Sequence, residues 1–185
     1  RLICGLAYPD GGGFELFGER DDAPGILRAR RRLSAIVESP SIYKNMSARD
    51  NFTEQCMILG IGPDRYERLM RSVGLEEMIS SPRKAGNFSL GMKQRLGIAM
   101  ALAGSPEFII LDEPLNGLDP QGIVDMRALI LRLNRESGIT FLISSHILGE
   151  LSLVATKYGF ISHGRLLSEI TAEELHRRCR KSTDI

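Results

Sequence analysis

The sequence contains no tryptophan, few cysteines and no long uncharged hydrophobic run. Its three cysteines lie far apart and form no CxxC pair, which excludes a disulfide scaffold and indicates reduced thiols in a cytosolic setting. No uncharged stretch approaches the roughly 20 residues that cross a bilayer, which excludes a membrane-spanning helix. The chain has 185 residues, of which 43% are apolar. It is therefore long enough to bury a hydrophobic core without disulfide bonds.

An excess of either charge sign is also missing. The chain has 24 Lys and Arg against 23 Asp and Glu, a formal net charge of +1. Dedicated nucleic-acid binders usually show a larger basic surplus on the domain that contacts the phosphates. We therefore expect no nucleic-acid partner.

A phosphate-binding loop of the pattern GxxxxGK[ST] is absent from residues 1–185. That loop supplies backbone amides and a lysine to nucleotide phosphates, but none of the five lysines follows a glycine. Residues 2–6 have the pattern of an apolar helix end closed by Gly5, and the first residue is Arg1 rather than Met. We therefore expect the native chain to begin upstream of Arg1.

Apolar patterns divide the chain into strand-like and helix-like stretches. Short unbroken apolar runs predict strands buried on both faces of a parallel sheet, and a spacing of three or four predicts helices. The strands are predicted at residues 33–37, 108–111, 139–143 and 158–161, with helical stretches at 47–79, 89–103 and 121–135. The alternation predicts an α/β fold. We divide it into a partial core (1–38), a helical subdomain (39–104), and the rest of the core with a C-terminal helix (105–185).

Two adjacent carboxylates follow the apolar run at residues 108–111. The carboxyl ends of parallel strands are where ligands bind in open α/β sheets. Asp112 is therefore a candidate ligand for Mg²⁺, and Glu113 a candidate general base. Because side chains alternate along a strand, we expect Asp112 and Glu113 to point to opposite sides. The alternative is a strand that simply ends in acidic turn residues.

Four further segments give the carboxylate pair its context. A predicted strand leads into Glu-Ser-Pro-Ser-Ile-Tyr at residues 38–43, and a helix opens with Ser-Leu-Gly-Met-Lys-Gln-Arg at residues 89–95. Asn-Gly-Leu-Asp-Pro follows the pair at residues 116–120, and the next strand ends in Ser-Ser-His at residues 144–146. In this order the segments resemble the nucleotide-binding subunits of ATP-binding-cassette (ABC) transporters, over nearly the whole chain.

The resemblance implies a fold and a role for each motif. The fold is an α/β, P-loop NTPase-like parallel sheet with an inserted helical subdomain, here an N-terminally truncated ABC ATPase. The carboxylate pair is its Walker B motif, residues 89–95 its signature and residues 116–119 its D-loop. Ser89 and Gly91 would hold the γ-phosphate of a nucleotide on a second copy, His146 would orient the attacking water, and Asp119 would serve dimer contacts.

Each motif residue also has a purely structural interpretation. Ser89 could be only the N-cap of its helix, since capping and phosphate binding use the same geometry. His146 could be an ordinary loop residue after a strand. Asp119 could be a turn residue preceding Pro120. The order of the motifs, rather than any one of them, favours the functional interpretation.

Two positions depart from the usual family pattern. Leu90 stands where the signature commonly has a glycine, and Glu38 stands where the loop after the strand usually has glutamine. Glu38 can still reach Mg²⁺ and water, but it adds negative charge near the phosphates. With Tyr43 and residues 46–52, Glu38 makes the chain similar to the bacitracin-resistance and lantibiotic-immunity subgroup.

The resemblance further implies cofactors, partners and location. ATP and Mg²⁺ are the expected cofactors, and a membrane permease and a second copy of the subunit, arranged head to tail, are the expected partners. The subunit would be cytoplasmic and peripheral on the inner face of the membrane, energising an exporter of peptide antibiotics. Because the phosphate-binding loop would precede residues 1–5, we expect ATPase activity in the intact protein and not in residues 1–185 alone.

Two other functions stay open at this stage. One is a soluble ABC-type ATPase that acts on ribosomes or nucleic acid; the short helical insert and neutral charge disfavour it. The other is a truncated fragment that folds but does not hydrolyse nucleotide. Residues upstream of Arg1 would distinguish the fragment from the intact enzyme.

Overall fold

A computed structural model describes residues 1–183 of the chain. Its backbone contacts define two units, Arg1–Ser145 and the segment from His146 onward. This boundary differs from the three-part division expected above, which stays a prediction. Among the described residues no helix is both long and apolar enough to cross a membrane.

The first unit contains a three-stranded parallel sheet, a small hairpin and five helices. Two single 3₁₀ turns, Glu76–Met78 and Ala85–Asn87, lie between the third and fourth helices. The elements in chain order are β1 Glu15–Leu16, β2 Glu19–Arg20, α1 Ile26–Arg30, β3 Leu33–Ile36, α2 Ala48–Leu59, α3 Tyr66–Ser72, α4 Leu90–Leu102, β4 Phe108–Asp112, α5 Pro120–Ser137 and β5 Thr140–Ser144.

The parallel sheet has the order β3-β4-β5, with Leu111 paired to Ile36 on one side and to Ile143 on the other. Helix α4 packs against the face that carries Ile36 and Leu111, and Leu111 is fully buried. The expectation that β4 is buried on both faces is wrong for the face that carries Ile110. Ile110 is only half-buried there and Leu142 is exposed, because α4 covers only one side of β4.

Helices α2, α3 and α4 lie within residues 47–79 and 89–103, where the helical periodicity predicts them. A capping box starts α2: the Ser47 hydroxyl accepts from the Asp50 amide, and the Asp50 carboxylate accepts from the Ser47 amide. The rings of Phe52 and Tyr66, 5.3 Å apart, are both buried between α2 and α3. Apolar burial and capping therefore act together to form this helical region.

The first six residues have the hydrogen bonds of a helix end. The Leu6 amide donates to the Arg1 carbonyl and the Gly5 amide to the Leu2 carbonyl, both at 3.0 Å. Gly5 has φ 76°, the left-handed conformation that this C-terminal motif requires. The pattern that predicts a helix end at residues 2–6 thus matches the observed turn.

The second unit contains α6 Leu148–Leu151, β6 Lys157–Ser162, β7 Arg165–Thr171 and α7 Ala172–Thr183. Strands β6 and β7 pair in an antiparallel hairpin through a turn at His163 and Gly164, both with positive φ. The predicted strand at residues 158–161 therefore lies in this hairpin. The Thr171 hydroxyl caps α7 by accepting from the Glu174 amide at 3.2 Å.

Candidate functional site

Ser144 joins the carboxylate pair to the end of the neighbouring strand. The Glu113 amide donates to both the carbonyl and the hydroxyl oxygen of Ser144, each at 3.1 Å. The Ser144 hydroxyl in turn donates to Asp112 Oδ1. Sequence reasoning placed Ser144 in a motif but assigned it no role; its signal was a hydroxyl directly after the apolar run at residues 141–143.

The backbone at Glu113 departs from the strand. β4 ends at Asp112, and Glu113 has φ 48°, a left-handed conformation that is uncommon for a residue with a side chain. The alternation of side chains along a strand therefore applies only as far as Asp112. The expected opposite orientation of Asp112 and Glu113 does not follow from the pleat, because Glu113 lies outside it.

Glu38 occupies a tight turn two residues beyond β3. It has φ 63°, and the Ser39 amide donates to the Val37 carbonyl at 2.8 Å, which is the hydrogen bond of a γ-turn of the rare type with positive φ. The exposed Glu38 carboxylate pairs with the Arg1 guanidinium at 2.5 Å. An arginine therefore offsets the additional negative charge that distinguishes Glu38 from glutamine.

The start of α4 has an exposed, capped N-terminus. The Ser89 hydroxyl accepts from the Met92 amide at 3.2 Å, so the capping interpretation of Ser89 is confirmed. A Cβ at Gly91 would meet only Leu118 Cδ2, at 3.7 Å. This helix end has the amides and the partial positive charge that anions bind.

The loop at residues 116–119 contacts the start of α4. A Cβ at Gly117, which has φ 74°, would lie 3.1 Å from Leu90 Cδ2. At the other end of the loop, the Asp119 carboxylate caps α5 by accepting from the Gly122 amide at 3.2 Å. The predicted signature and D-loop segments therefore touch within the chain, and the unusual Leu90 makes part of that contact.

His146 is the first residue of the second unit. Its expected role toward the attacking water stays a prediction.

The donor set at the end of β4 fits Mg²⁺ bound together with a nucleotide. Mg²⁺ binds oxygen, usually through one or two carboxylates, phosphates and retained water, and Asp112 supplies a carboxylate beside the Ser144 hydroxyl. Within residues 1–183 no group of three or more His, Cys, Asp or Glu could hold a metal alone. Asp112 would therefore share the ion with phosphate and water.

Comparison with known families identifies the class of protein. The family model described as ABC transporter matches residues 1–116, which is more than half of the chain. The chain belongs to this family, and the resemblance based on the motif order is confirmed.

Individual relatives show which members of the family the chain is similar to. The chain is 45% identical over 184 residues to the bacitracin transport ATP-binding protein BcrA of Bacillus licheniformis, covering 98% of this chain and 58% of BcrA. It is 46% identical over 142 residues to the lantibiotic transport ATP-binding protein SrtF of Streptococcus pyogenes, covering 77% and 61%. The subgroup resemblance is thereby confirmed, and the chain spans about three fifths of the length of these relatives.

Solved structures confirm the fold class. The structure of cbiO1 from Clostridium perfringens, part of the ABC transporter complex cbiONQ, has a TM-score of 0.84 at 22% identity, covering 97% of this chain and 74% of that one. A dimeric, post-hydrolysis structure of the ATP-binding cassette MJ0796 bound to ADP and Pi has a TM-score of 0.77 at 22% identity, covering 92% and 78%. At this identity the comparison concerns the fold alone.

Proposed function

We propose that the intact protein is the ATPase subunit of an ABC transporter and that it drives export of a peptide antibiotic through a membrane permease. The observation that carries the proposal is the carboxylate pair at the end of β4, with Ser144 bonded to both Asp112 and Glu113. Family membership and the names of BcrA and SrtF support it. The subunit would be cytoplasmic and held at the inner membrane face by the permease.

Each carboxylate has a distinct part in the proposed reaction. MgATP, when bound, supplies the γ-phosphate and the metal that neutralises its charge. Asp112 would hold the Mg²⁺ ion, and the Ser144 hydroxyl, which donates to Asp112 Oδ1, orients the Asp112 carboxylate. Glu113 accepts a proton from the attacking water, with its backbone fixed by two contacts to Ser144. His146 is the proposed second contact to that water.

The exposed start of α4 serves a nucleotide on a second copy of the chain. Ser89 and Gly91 offer the hydroxyl and backbone amides to the γ-phosphate in a head-to-tail dimer. Asp119, which caps α5, lies in the loop that would contact the partner copy. Glu38, two residues beyond β3, would contact the same metal and water, with Arg1 paired to its carboxylate.

The proposed permease contact lies along residues 38–43. A cavity of about 290 Å³ lies beside this segment, lined by Ser41, Ile42, Tyr43, Asn51, Gln55, Ile58 and Met100. Tyr43 is 51% exposed and Ile58 is 73% exposed. This mixture of an apolar wall and an amphipathic ring suits a protein partner.

Steady-state hydrolysis of MgATP by the full-length protein tests the ATPase proposal. We expect Mg²⁺-dependent turnover, and we expect Asp112→Asn to weaken Mg²⁺-dependent nucleotide binding because the carboxylate that holds the ion is lost. Asp10→Asn, in an exposed loop, is the matched control and should behave as the unaltered protein. Absence of hydrolysis, both alone and with the permease, would reject the proposal.

A second experiment tests the permease contact. Tyr43→Ala in the full-length subunit should reduce permease association and transport while leaving hydrolysis by the isolated subunit intact. Tyr8→Ala removes a ring that is 93% exposed elsewhere and is the control. Unchanged association and transport in Tyr43→Ala would show that residues 38–43 are not the docking surface.

A further inference from the structure

Arg95 and Asp125 join α4 to α5 through a charged contact that none of the proposed roles uses. Arg95 Nη2 donates to Asp125 Oδ2 at 2.6 Å, and the side chains are 24% and 39% exposed. The second Asp125 oxygen accepts from Gln121 Nε2 at 2.7 Å, and Arg95 Nη1 reaches the Gly74 carbonyl at 3.4 Å. The pair is therefore held in one geometry by bonds on both sides.

The two charged residues occupy equivalent places in their helices. α4 begins at Leu90 and α5 at Pro120, so Arg95 and Asp125 each lie about 7.5 Å along the helix axis from its first residue. The ion pair thus ties together the second turns of two helices. The N-terminal caps of these helices are Ser89 and Asp119.

An apolar contact joins the start of α4 to the loop at residues 116–119, on the N-terminal side of the ion pair. Leu90 Cδ2 lies against Gly117, and Leu118 Cδ2 lies against Gly91. Two separate contacts, one apolar and one charged, therefore fix the start of α4 against the loop at residues 116–119. The ion pair adds a charged contact at the second turns of α4 and α5 to the apolar contact at the start of α4.

We propose that Arg95 is a positioning residue that acts through Asp125 to hold Ser89 and Gly91 in fixed register with the loop at residues 116–119. The phosphate-binding end of α4 and this loop then move as one body. The coupling within the chain stands on the contacts above. Its consequence for ATP turnover rests on the proposed function.

Loss of the Arg95–Asp125 ion pair should affect ATP turnover but not the binding of nucleotide to one copy of the chain. In the proposed dimer the start of α4 serves the nucleotide of the partner copy, so loss of the ion pair should leave the affinity of one copy for its own nucleotide unchanged. Turnover should fall, because Ser89 and Gly91, which would contact the γ-phosphate, are no longer held at a fixed position relative to the loop at residues 116–119. A residue that only stabilised the fold would lower binding and turnover together.

The test uses Arg95→Met, Asp125→Asn and the double variant in the full-length protein. Arg95→Met keeps the apolar stem and removes the charge, and Asp125→Asn keeps the shape. Arg95→Lys, which keeps the charge but not the second bond to Gly74, should show an intermediate effect and covers a failure of Arg95→Met to fold. Arg68→Met, at an exposed arginine of α3, is the control.

The first measurement is amide hydrogen exchange and needs no nucleotide. The Met92 and Gly122 amides, which donate to the Ser89 and Asp119 caps, should exchange about tenfold faster in each single variant, the scale of one lost hydrogen bond. The double variant should be no faster, because one interaction cannot be lost twice. The β4 amides should keep their protection. Unchanged exchange at both caps overturns the inference, whatever the ATPase result.

The second measurement is MgATP kinetics on the same proteins. We expect kcat to fall about fivefold or more while the nucleotide Kd of the isolated subunit stays within about twofold, typical of a lost geometric constraint. Faster exchange with unchanged kcat overturns the role in turnover. If the unaltered protein does not hydrolyse MgATP, the proposed function fails, and the exchange result alone still decides whether Arg95 positions the caps.

Discussion

Glu38 and Glu113 both have a positive φ just beyond the ends of two neighbouring parallel strands. Their φ angles are 63° and 48°, and the pairing of Ile36 with Leu111 brings both residues to the same edge of the sheet. A positive φ costs a residue with a side chain on the order of 1–3 kcal/mol, and it persists where the surrounding structure holds it. Two carboxylates in this state at one sheet edge point to the same place as the motifs do.

Gly97 is required by the close approach of Pro40 to α4. A Cβ at position 97 would lie 2.5 Å from Pro40 Cβ and 2.7 Å from Pro40 Cγ. Helix propensity alone predicts that Gly97→Ala stabilises the fold by about 1 kcal/mol. We expect the opposite, a loss of roughly 1–3 kcal/mol in the free energy of unfolding of the full-length protein, from overpacking.

Gly149→Ala is the matched control for Gly97→Ala. Gly149 lies in α6 with nothing within 4 Å of a Cβ, so this change should be neutral or stabilising. Equal gains in the free energy of unfolding from both changes would contradict a close contact between Pro40 and α4.

Asn51 fixes the segment that carries Tyr43. Its fully buried amide accepts from the Tyr43 amide at 2.7 Å and donates to the Tyr43 and Ser47 carbonyls at 3.1 and 2.8 Å. Asn51→Ala should cost about 1–3 kcal/mol of unfolding free energy, since buried backbone groups lose their partner. The exposed Asn45→Ala should cost little. Slow exchange of the Tyr43 amide in Asn51→Ala would show that another group holds the segment.

The capping box of α2 should make stability depend on pH. Hydrogen bonds from the Ser47 hydroxyl and amide hold the pKa of the Asp50 carboxyl below its usual range. A lowered folded pKa contributes stability above about pH 4, the unfolded pKa, and the contribution is lost as the pH falls through the folded value. Asp50→Asn should therefore be less stable than the unaltered protein near neutral pH and approach it in acid.

Denaturant unfolding of the full-length protein at several pH values measures this difference. Ser47→Ala should show a weaker pH dependence than the unaltered protein, since it removes the hydroxyl, the larger cause of the lowered Asp50 pKa, and leaves the Ser47 amide as a donor. A stability difference between Asp50→Asn and the unaltered protein that stays constant from neutral to acid pH would rule out this ionisation as the source.

Features set by local sequence could be predicted, and features set by contacts between distant segments could not. The apolar run at residues 108–111 and the cap at Ser89 are local signals, and both correspond to the observed elements. The left-handed turn at Glu113 depends on bonds to Ser144, more than 30 residues away. The Arg95–Asp125 pair likewise joins two helices across 30 residues. No periodicity in the sequence carries that information.

The motif order places Ser89 and Asp119 at the surface that a second copy would contact, and this placement stays a prediction. Within the chain, the segments that carry Ser89 and Asp119 touch through Leu90 and Gly117, a contact that the resemblance did not predict. In the sequence, Leu90 stands out only as a departure from the usual family pattern. Its contact with the loop depends on how α4 packs beside residues 116–119, which sequence spacing does not specify.

Residues 1–185 alone should bind MgATP weakly or not at all. They contain no GxxxxGK[ST] segment, so the amides and lysine that hold the β- and γ-phosphates are missing from them. Titration calorimetry of this segment with MgATP, beside the full-length protein as the control, should show binding only in the latter. Micromolar affinity in residues 1–185 would mean that other groups hold the phosphates.

The most direct test of the central claim is Glu113→Gln in the full-length protein. This change keeps size and hydrogen bonding but removes the base, and Glu136→Gln, exposed near the end of α5, is the control. Steady-state hydrolysis is measured alongside the size of the ATP-bound species. The account predicts that Glu113→Gln binds ATP, accumulates as a dimer and turns over slower by roughly 10² or more, the usual scale of general-base loss. Near-normal turnover with no trapped dimer would contradict it and move the base role elsewhere, with His146 the next candidate.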